Sequence, residues 1–262
     1  MTSKYQAPTV KKAFQILDRI AGSRDGLKIS DLSAALKISK STVHGIAAAL
    51  EAQGALVREP RTKRYILGFT LFELGRKVYA RADLKDIARP YMVKLMEKIG
   101  ESVFLGVCNN HHVTILEIVE SMNDLKITAP IGTTIPLLAG AIGKVFLAGM
   151  PENMAVQLIR SLKLVPYTNR SITEPDAYLQ AIHQARKAGY AIDDEEYIPG
   201  VRAVAAPVKN MEPVQAAIWV VGFKPSTNGV AIEHLGVDTC QAAEAISREI
   251  DAMKRNGHDI KA

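Results

Sequence analysis

Short amphipathic segments separated by turn residues make up the first third of the chain. Apolar residues recur at helical spacing over residues 9–22, and Gly22 follows where such a helix is expected to stop. The pattern predicts a second helix over Ser30–Leu36, with Ser30 as its N-cap, and a third over Lys40–Gly54. Two short helices joined by a tight turn are typical of a helix-turn-helix.

A predicted β-hairpin follows the third helix. Two short runs rich in strand-forming residues, 55–58 and 64–67, are joined by the polar turn 59–63. Three helices and a hairpin are the order of elements in a winged helix-turn-helix, which we assign to residues 1–67. An amphipathic helix over residues 69–83 then predicts a linker, 68–83, with Leu71, Leu74, Val78 and Ala82 on its apolar stripe.

The rest of the chain, residues 84–262, mixes strand and helix patterns. Because the strands are short and occur in antiparallel order with helices outside them, we expect an α+β sheet domain. The predicted strands are 102–108, 112–118, 125–129, 190–193, 202–208 and 215–222. The predicted helices are 84–99, 139–148, 152–160, 174–188 and 230–256.

Charge separates the two parts of this 262-residue chain. Residues 1–84 carry 15 Lys and Arg against 7 Asp and Glu, whereas the remainder is slightly acidic. This asymmetry predicts a module that binds a polyanion, although a solvated basic face would also explain it. Two cysteines exclude a disulfide framework, and the sequence shows neither a signal peptide nor a membrane span. We therefore expect a soluble cytoplasmic protein with no membrane partner.

The third helix and the hairpin carry side chains suited to double-stranded DNA. The major groove admits one α-helix, and arginines on a hairpin can follow the backbone or enter the minor groove. The alternative is an ordinary surface helix beside a solvated hairpin. The candidate DNA-binding residues are Lys40, Ser41, Thr42 and His44 on the helix and Arg58, Arg61, Lys63 and Arg64 on the hairpin.

Three segments resemble the IclR family of bacterial transcriptional regulators. They are ISDLSAALKISKSTVHGIAAALEAQGALVREPRTKRYILG near the beginning, PLLAGAIGKVFLA at 136–148 and GYAIDDEEYIPGVRAVAAPV at 189–208. The resemblance implies a winged helix-turn-helix that binds operator DNA, a GAF-like effector domain, and homodimers or homotetramers. The chain departs from the family at Gly45, where an arginine is usual, which puts the operator sequence in doubt.

Several residues of the second domain predict a small-molecule site. Ala141 and Ile142 lie where small residues open a helix, although close packing also requires small residues. Among four consecutive carboxylates at 193–196, the resemblance points to Asp193 as a pocket residue, and we expect the other three to be solvated. Trp219 and Val221 share one strand face.

Family members that bind small oxo acids resemble this chain in outline but tend to carry hydroxyl side chains at the positions of Trp219 and Val221. The apolar residues here, with Ala203 beside them, favour an aromatic or longer-chain carboxylate as effector. Trp219 as simple core packing is the alternative.

We therefore predict a ligand-responsive transcriptional regulator, and a repressor rather than an activator. We expect it to use no cofactor, metal ion or catalytic residue. The adjacent His111 and His112 do not converge on one metal ion. Two rivals remain open. One is an enzyme with an accessory DNA-binding head, and the other is a constitutive DNA-binding scaffold whose second domain only oligomerises.

Overall fold

The computed structural model describes residues 7–80, 83–109, 112–211, 215–224 and 232–256. It divides the chain into two compact units, Met1–Ala80 and Arg81–Ala262. The predicted linker crosses this division, and its residues 81 and 82 lie outside the described residues. His111, the first residues of the predicted terminal helix and the chain beyond 256 also lie outside them.

The first unit is a winged helix-turn-helix. Helices α1, α2 and α3 and the antiparallel hairpin β1–β2 enclose one core, in which Ile16, Leu32, Val43 and Tyr65 are buried. Leu27 forms an isolated bridge to Tyr65 and so ties the loop before α2 to the hairpin. The elements are α1 (Pro8–Ala21), α2 (Ile29–Leu36), α3 (Lys40–Ala52), β1 (Leu56–Arg58), β2 (Tyr65–Leu67) and α4 (Phe69–Ala80).

The start of α2 differs from the prediction. Ser30 is not the N-cap, because α2 begins at Ile29 and Ser30 lies within its first turn. The Asp31 carboxylate accepts a hydrogen bond from the Lys28 backbone N–H at 3.1 Å and satisfies this helix end instead. The ends of helix α3 follow the usual capping pattern. The Ser39 hydroxyl caps its N-terminus, and Gly54, with a φ of 68°, follows its C-terminal end.

The second unit is an α+β domain built on one antiparallel sheet of six strands, in the order β5-β4-β3-β8-β7-β6. One face packs against α6, α7 and α8, and the other against α5 and α9. The strands are β3 (Ser102–Asn109), β4 (His112–Val119), β5 (Thr134–Pro136), β6 (Ala191–Asp194), β7 (Val201–Val208) and β8 (Ala216–Phe223). The helices are α5 (Asp83–Ile99), α6 (Gly140–Ala148), α7 (Glu152–Leu162), α8 (Pro175–Ala188) and α9 (Ile232–Arg255).

The predicted strand at 125–129 is wrong. These residues form a connection in which Leu125 is exposed while Ile127 and Ala129 pack against the core. The chain turns at Gly132, which has a φ of 87° and donates its N–H to the Ile115 carbonyl. The edge strand β5 forms only after this turn, so the apolar residues before it are available to cover the sheet. Among the described residues, no helix is long and apolar enough to cross a membrane.

Candidate nucleic-acid interface and internal cavity

Helix α3 exposes the side opposite its buried residues. Lys40, Ser41 and His44 are exposed there, as is Gly45, at which an added Cβ would meet nothing within 4 Å. Thr42, the fourth residue predicted on this helix, is half-buried, and its hydroxyl lies 2.8 Å from the Ser39 hydroxyl. Thr42 therefore belongs to the hydrogen-bonded start of the helix.

The predicted basic residues of the hairpin have different surroundings. Arg61 and Lys63 are exposed in the turn, and Arg58 is exposed with its guanidinium 5.8 Å from the centre of the Tyr65 ring. Arg64 is half-buried, and its Nη1 donates to the Gly26 carbonyl at 2.8 Å. Arg64 therefore holds the hairpin to the loop before α2, whereas Arg61 and Lys63 are exposed to solvent in the turn.

An internal cavity of about 240 Å³ lies between the sheet of the second unit and the start of α6. Its lining is mainly apolar, with threonine hydroxyls and one carboxyl group among the polar atoms. All six residues predicted to contact an effector line this one cavity. They are Ala141, Ile142, Asp193, Ala203, Trp219 and Val221.

Trp219 forms part of the cavity wall and is also packed in the core. Its ring stacks on Phe104 of the neighbouring strand, with centroids 5.5 Å apart and an interplanar angle of 12°. Gly106 makes room for this arrangement, because a Cβ there would lie 2.8 Å from the Trp219 ring. The two explanations considered from the sequence therefore apply together, and the cavity has a flat aromatic side.

Two separate constraints require small residues at the start of α6. A Cβ on Gly143 would lie 2.0 Å from the Leu137 carbonyl oxygen, so packing alone requires this glycine. Gly140 has a φ of 56°, lines the cavity and would place a Cβ 2.3 Å from Asp193 Oδ2. Helix α6 thus begins against the cavity with a carboxyl group at its first turn.

We expected the three carboxylates beside Asp193 to be solvated, but each of them forms an ion pair. Asp194 accepts from Arg202 at 2.6 Å and from Arg170 at 2.9 Å. Glu195 pairs with Lys224, and Glu196 pairs with the buried Lys144. These ion pairs join the loop after β6 to neighbouring elements, so the acidic run holds this loop in place.

Asp193 is the buried member of the run, with 5% of its surface exposed. Burial raises the pKa of Asp193 to about 6, against hydrogen bonds from the backbone of Glu196 and Tyr197 that lower it. The hydrogen bond from Arg202 lowers the pKa of Asp194, and that from Lys224 lowers the pKa of Glu195. One strand end therefore carries two stabilised carboxylates and one whose ionisation is disfavoured.

Sequence reasoning missed the cavity residues that lie outside regular elements. Tyr197 and Ile198 line the cavity from the loop after β6, and Thr128 and Thr133 line it from the connection before β5. The Thr168 and Ser171 side chains bind carbonyls of the loop after β6 and so fix its position. No periodic pattern marks loop residues, so the sequence carries no signal for them.

A winged helix-turn-helix in the same chain as an α+β domain with a mainly apolar internal cavity defines a ligand-responsive transcriptional regulator. Two family models match the chain. The model of the bacterial transcriptional regulator IclR C-terminal domain covers residues 76–248, and that of the IclR helix-turn-helix domain covers residues 9–60. The chain belongs to the IclR family.

Three similar proteins illustrate the match. The chain is 30% identical over 243 residues to the HTH-type transcriptional regulator XynR of Escherichia coli, covering 92% of this chain and 96% of that protein. It is 26% identical to the transcriptional repressor IclR of the same organism, covering 95% and 92%. A solved IclR homologue from Microbacterium hydrocarbonoxydans, complexed with 4-hydroxybenzoate, has the same fold, with a TM-score of 0.70, 22% identity and coverage of 93% and 99%.

Proposed function

We propose that this protein is a cytoplasmic repressor that binds operator DNA as a homodimer or homotetramer and is controlled by an organic acid in the cavity. The observation that carries the proposal is the convergence of Ala141, Ile142, Asp193, Ala203, Trp219 and Val221 on one mainly apolar cavity. The relatedness to a transcriptional repressor supports the direction of regulation.

The proposed DNA contacts follow from exposure. Ser41 and His44 lie on the open side of α3, and Lys40 lies at the helix start. In a helix seated in the major groove, short polar side chains at these positions can hydrogen-bond to base edges. Arg58, Arg61 and Lys63 extend from the hairpin toward the phosphate backbone. Thr42 and Arg64 act within this proposal mainly by holding the helix and the hairpin in shape.

The proposed dimer rests on apolar side chains that the first unit leaves uncovered. Phe14 of α1 is 64% exposed, and Phe69 and Phe72 of α4 are 81% and 65% exposed. Exposed aromatic groups in this number mark an interaction surface in a soluble protein. We infer that a second copy of this chain covers these side chains, because one recognition helix rarely supplies enough operator specificity alone.

The proposed effector is an aromatic or longer-chain carboxylate. The stacked Phe104 and Trp219 rings offer a flat apolar surface, and the start of α6 offers backbone N–H groups to an anion. The homologue complexed with 4-hydroxybenzoate supports an acid of this kind. The proposal assigns no reaction to the chain.

The single tryptophan allows a direct test, because any ligand seated against Trp219 will change its fluorescence. Titration with benzoate, 4-hydroxybenzoate and octanoate is expected to give saturable changes and a higher Tm, with the ligand recovered unchanged. Trp219→Phe is expected to abolish the optical signal but keep the rise in Tm. Consumption of the ligand would favour the enzyme alternative, and no response to any acid would favour the scaffold.

A coupled measurement tests the regulator itself. Operator fragments are first selected from genomic DNA with the purified protein. Their dissociation constants are expected to change when the stabilising acid is added, because the acid has different affinities for the DNA-bound and the free state of the protein. A stabilising acid that leaves operator affinity unchanged would contradict the proposed control.

A further inference from the structure

Asp193 lies where the cavity meets the first turn of α6. Its Oδ1 accepts the Glu196 backbone N–H at 2.6 Å. Its Oδ2 lies so close to Gly140 that no larger residue fits there. The Asp193 carboxyl group is therefore held in one position, at the border between the cavity and the helix end.

The same border is the place in the cavity best suited to a ligand carboxylate. The first turn of α6 has backbone N–H groups without partners inside the helix, and its N-cap, Ala139, provides no side-chain cap. Gly140, Ala141 and Ile142 of this turn line the cavity. No lysine, arginine or histidine is among the described residues that line it. An anionic ligand that uses these N–H groups must lie against Asp193.

Two charged groups beside Asp193 act on it in opposite directions. The Lys144 ammonium, which donates to the Glu196 carboxylate and to the Ile192 carbonyl, lowers the pKa of Asp193, whereas the Glu196 carboxylate raises it. Burial has the largest effect, so the net shift of this pKa is upward. A further titratable side chain, Tyr197, lines the cavity from the loop after β6. Tyr178 of α8 donates to the Leu138 carbonyl, and burial raises its pKa, so it stays neutral.

We propose that the cavity takes up its effector as a carboxylic acid together with one proton, which the effector carboxylate and Asp193 share at the start of α6. This inference rests on the proposed function, because it assumes an organic-acid effector in this cavity. Two carboxylates held together in a mainly apolar cavity, one of them the buried Asp193, cannot both ionise without an electrostatic penalty. One proton from the solvent turns that repulsion into a short O–H···O⁻ hydrogen bond.

The proton balance fixes the pH dependence. Above a pH of about 6, the pKa to which burial raises free Asp193, both partners are ionised before binding and the complex gains one proton. The dissociation constant is then expected to rise about tenfold for each pH unit. Below that pH Asp193 already holds the proton, so the affinity is expected to level off until the free acid itself is protonated.

Benzoate and its uncharged analogue benzamide separate this mechanism from simple binding. Between pH 7 and pH 8, we expect the dissociation constant of benzoate to rise about tenfold and that of benzamide to stay constant. Calorimetry in two buffers of different ionisation enthalpy is expected to show uptake of close to one proton per benzoate bound at pH 8. Benzoate binding that is independent of pH, without proton uptake, would overturn this inference and leave the proposed function standing.

Two variants locate the proton. In Asp193→Asn, benzoate binding is expected to lose both its pH dependence and its proton uptake. Asp194→Asn is the matched control, since this neighbour faces away from the cavity lining and pairs with Arg202; proton uptake is expected to persist. If Asp193→Asn does not fold, the wild-type calorimetry decides. If benzoate does not bind but octanoate does, the same measurements are made with octanoate and octanamide. If benzoate, 4-hydroxybenzoate and octanoate all fail to bind, the proposed effector class fails, and this inference fails with it.

Discussion

At the scale of single residues, Gly45 shapes the exposed side of α3, the proposed recognition helix. The family usually has an arginine at the position of Gly45, and an added Cβ at Gly45 would meet no atom within 4 Å. The position is therefore open to solvent and not closed by packing. Relative to an arginine, the glycine lacks a long cation and lowers the helix propensity of the proposed recognition helix.

Gly45→Arg is expected to tighten operator binding. The new guanidinium can contact a phosphate or a base, so affinity should rise several-fold and the salt dependence should steepen by about one unit per protomer. Fluorescence anisotropy on a selected operator at several salt concentrations measures both.

Gly45→Ala is the matched control for this variant. It should raise the free energy of unfolding by about 1 kcal/mol without changing the salt dependence. Weaker binding by Gly45→Arg would mean that Gly45 permits a close approach of the helix to the groove, and would contradict the expectation.

At the scale of elements, the hairpin β1–β2 shows that similar residues in one sequence run have different tasks. Arg61 is exposed in the turn, whereas Arg64 donates to the Gly26 carbonyl and fixes the hairpin to the loop before α2. The sequence placed both in one candidate contact set, because spacing alone does not distinguish a free arginine from an anchored one.

Arg61→Ala and Arg64→Ala are expected to separate these two tasks. Arg61→Ala should weaken binding to all duplexes and reduce the salt slope by about one unit per hairpin, with little change in Tm. Arg64→Ala should lower the free energy of unfolding by about 1 kcal/mol through the lost hydrogen bond, with a smaller effect on the slope. Anisotropy and thermal unfolding of both proteins provide the measurements. An unchanged slope in Arg61→Ala would remove the hairpin turn from the DNA contacts.

At the scale of the whole molecule, the two units expose different chemistry. The first unit is basic and the second contains a mainly apolar cavity, and the exposed aromatic residues on α1 and α4 support the proposed homodimer. Of the predicted apolar stripe of α4, Leu71 is half-buried and Leu74 is exposed, while Ala82 lies outside the described residues. Phe69 and Phe72 of the same helix are exposed as well.

A double substitution, Phe69→Glu with Phe72→Glu, is expected to prevent dimer formation. Charges at both positions oppose burial against a second copy, so sedimentation should show a monomer. Operator affinity should fall by at least about tenfold, because the second half-site is no longer engaged at high effective concentration.

Met122→Glu with Leu125→Glu is the control for this experiment. These residues are 86% and 74% exposed, but they belong to the second unit. Their substitution should leave the dimer intact. Dissociation by the control pair, or a dimer that survives the first pair, would contradict the proposed surface.

The local sequence pattern was sufficient to predict most of the elements and the class of protein. Periodic apolar positions predicted α1, α3 and the hairpin, and alternation along β8 placed Trp219 and Val221 on one face. These are local patterns, because the backbone repeats every 3.6 or 2 residues and the core selects one side. The failures, at Ser30 and at residues 125–129, lie where competing caps and an early turn leave the local pattern ambiguous.

Which side chains are exposed, paired or enclosed depends on packing between distant parts of the chain. Folding brings Phe104, Asp193 and Trp219 around one cavity from distant parts of the chain, and it separates the anchored Arg64 from the exposed Arg61. The ionisation of Asp193 likewise depends on burial and on the start of α6 beside it. Solvent exclusion and close approach are properties of three-dimensional packing, so no pattern along the chain contains them.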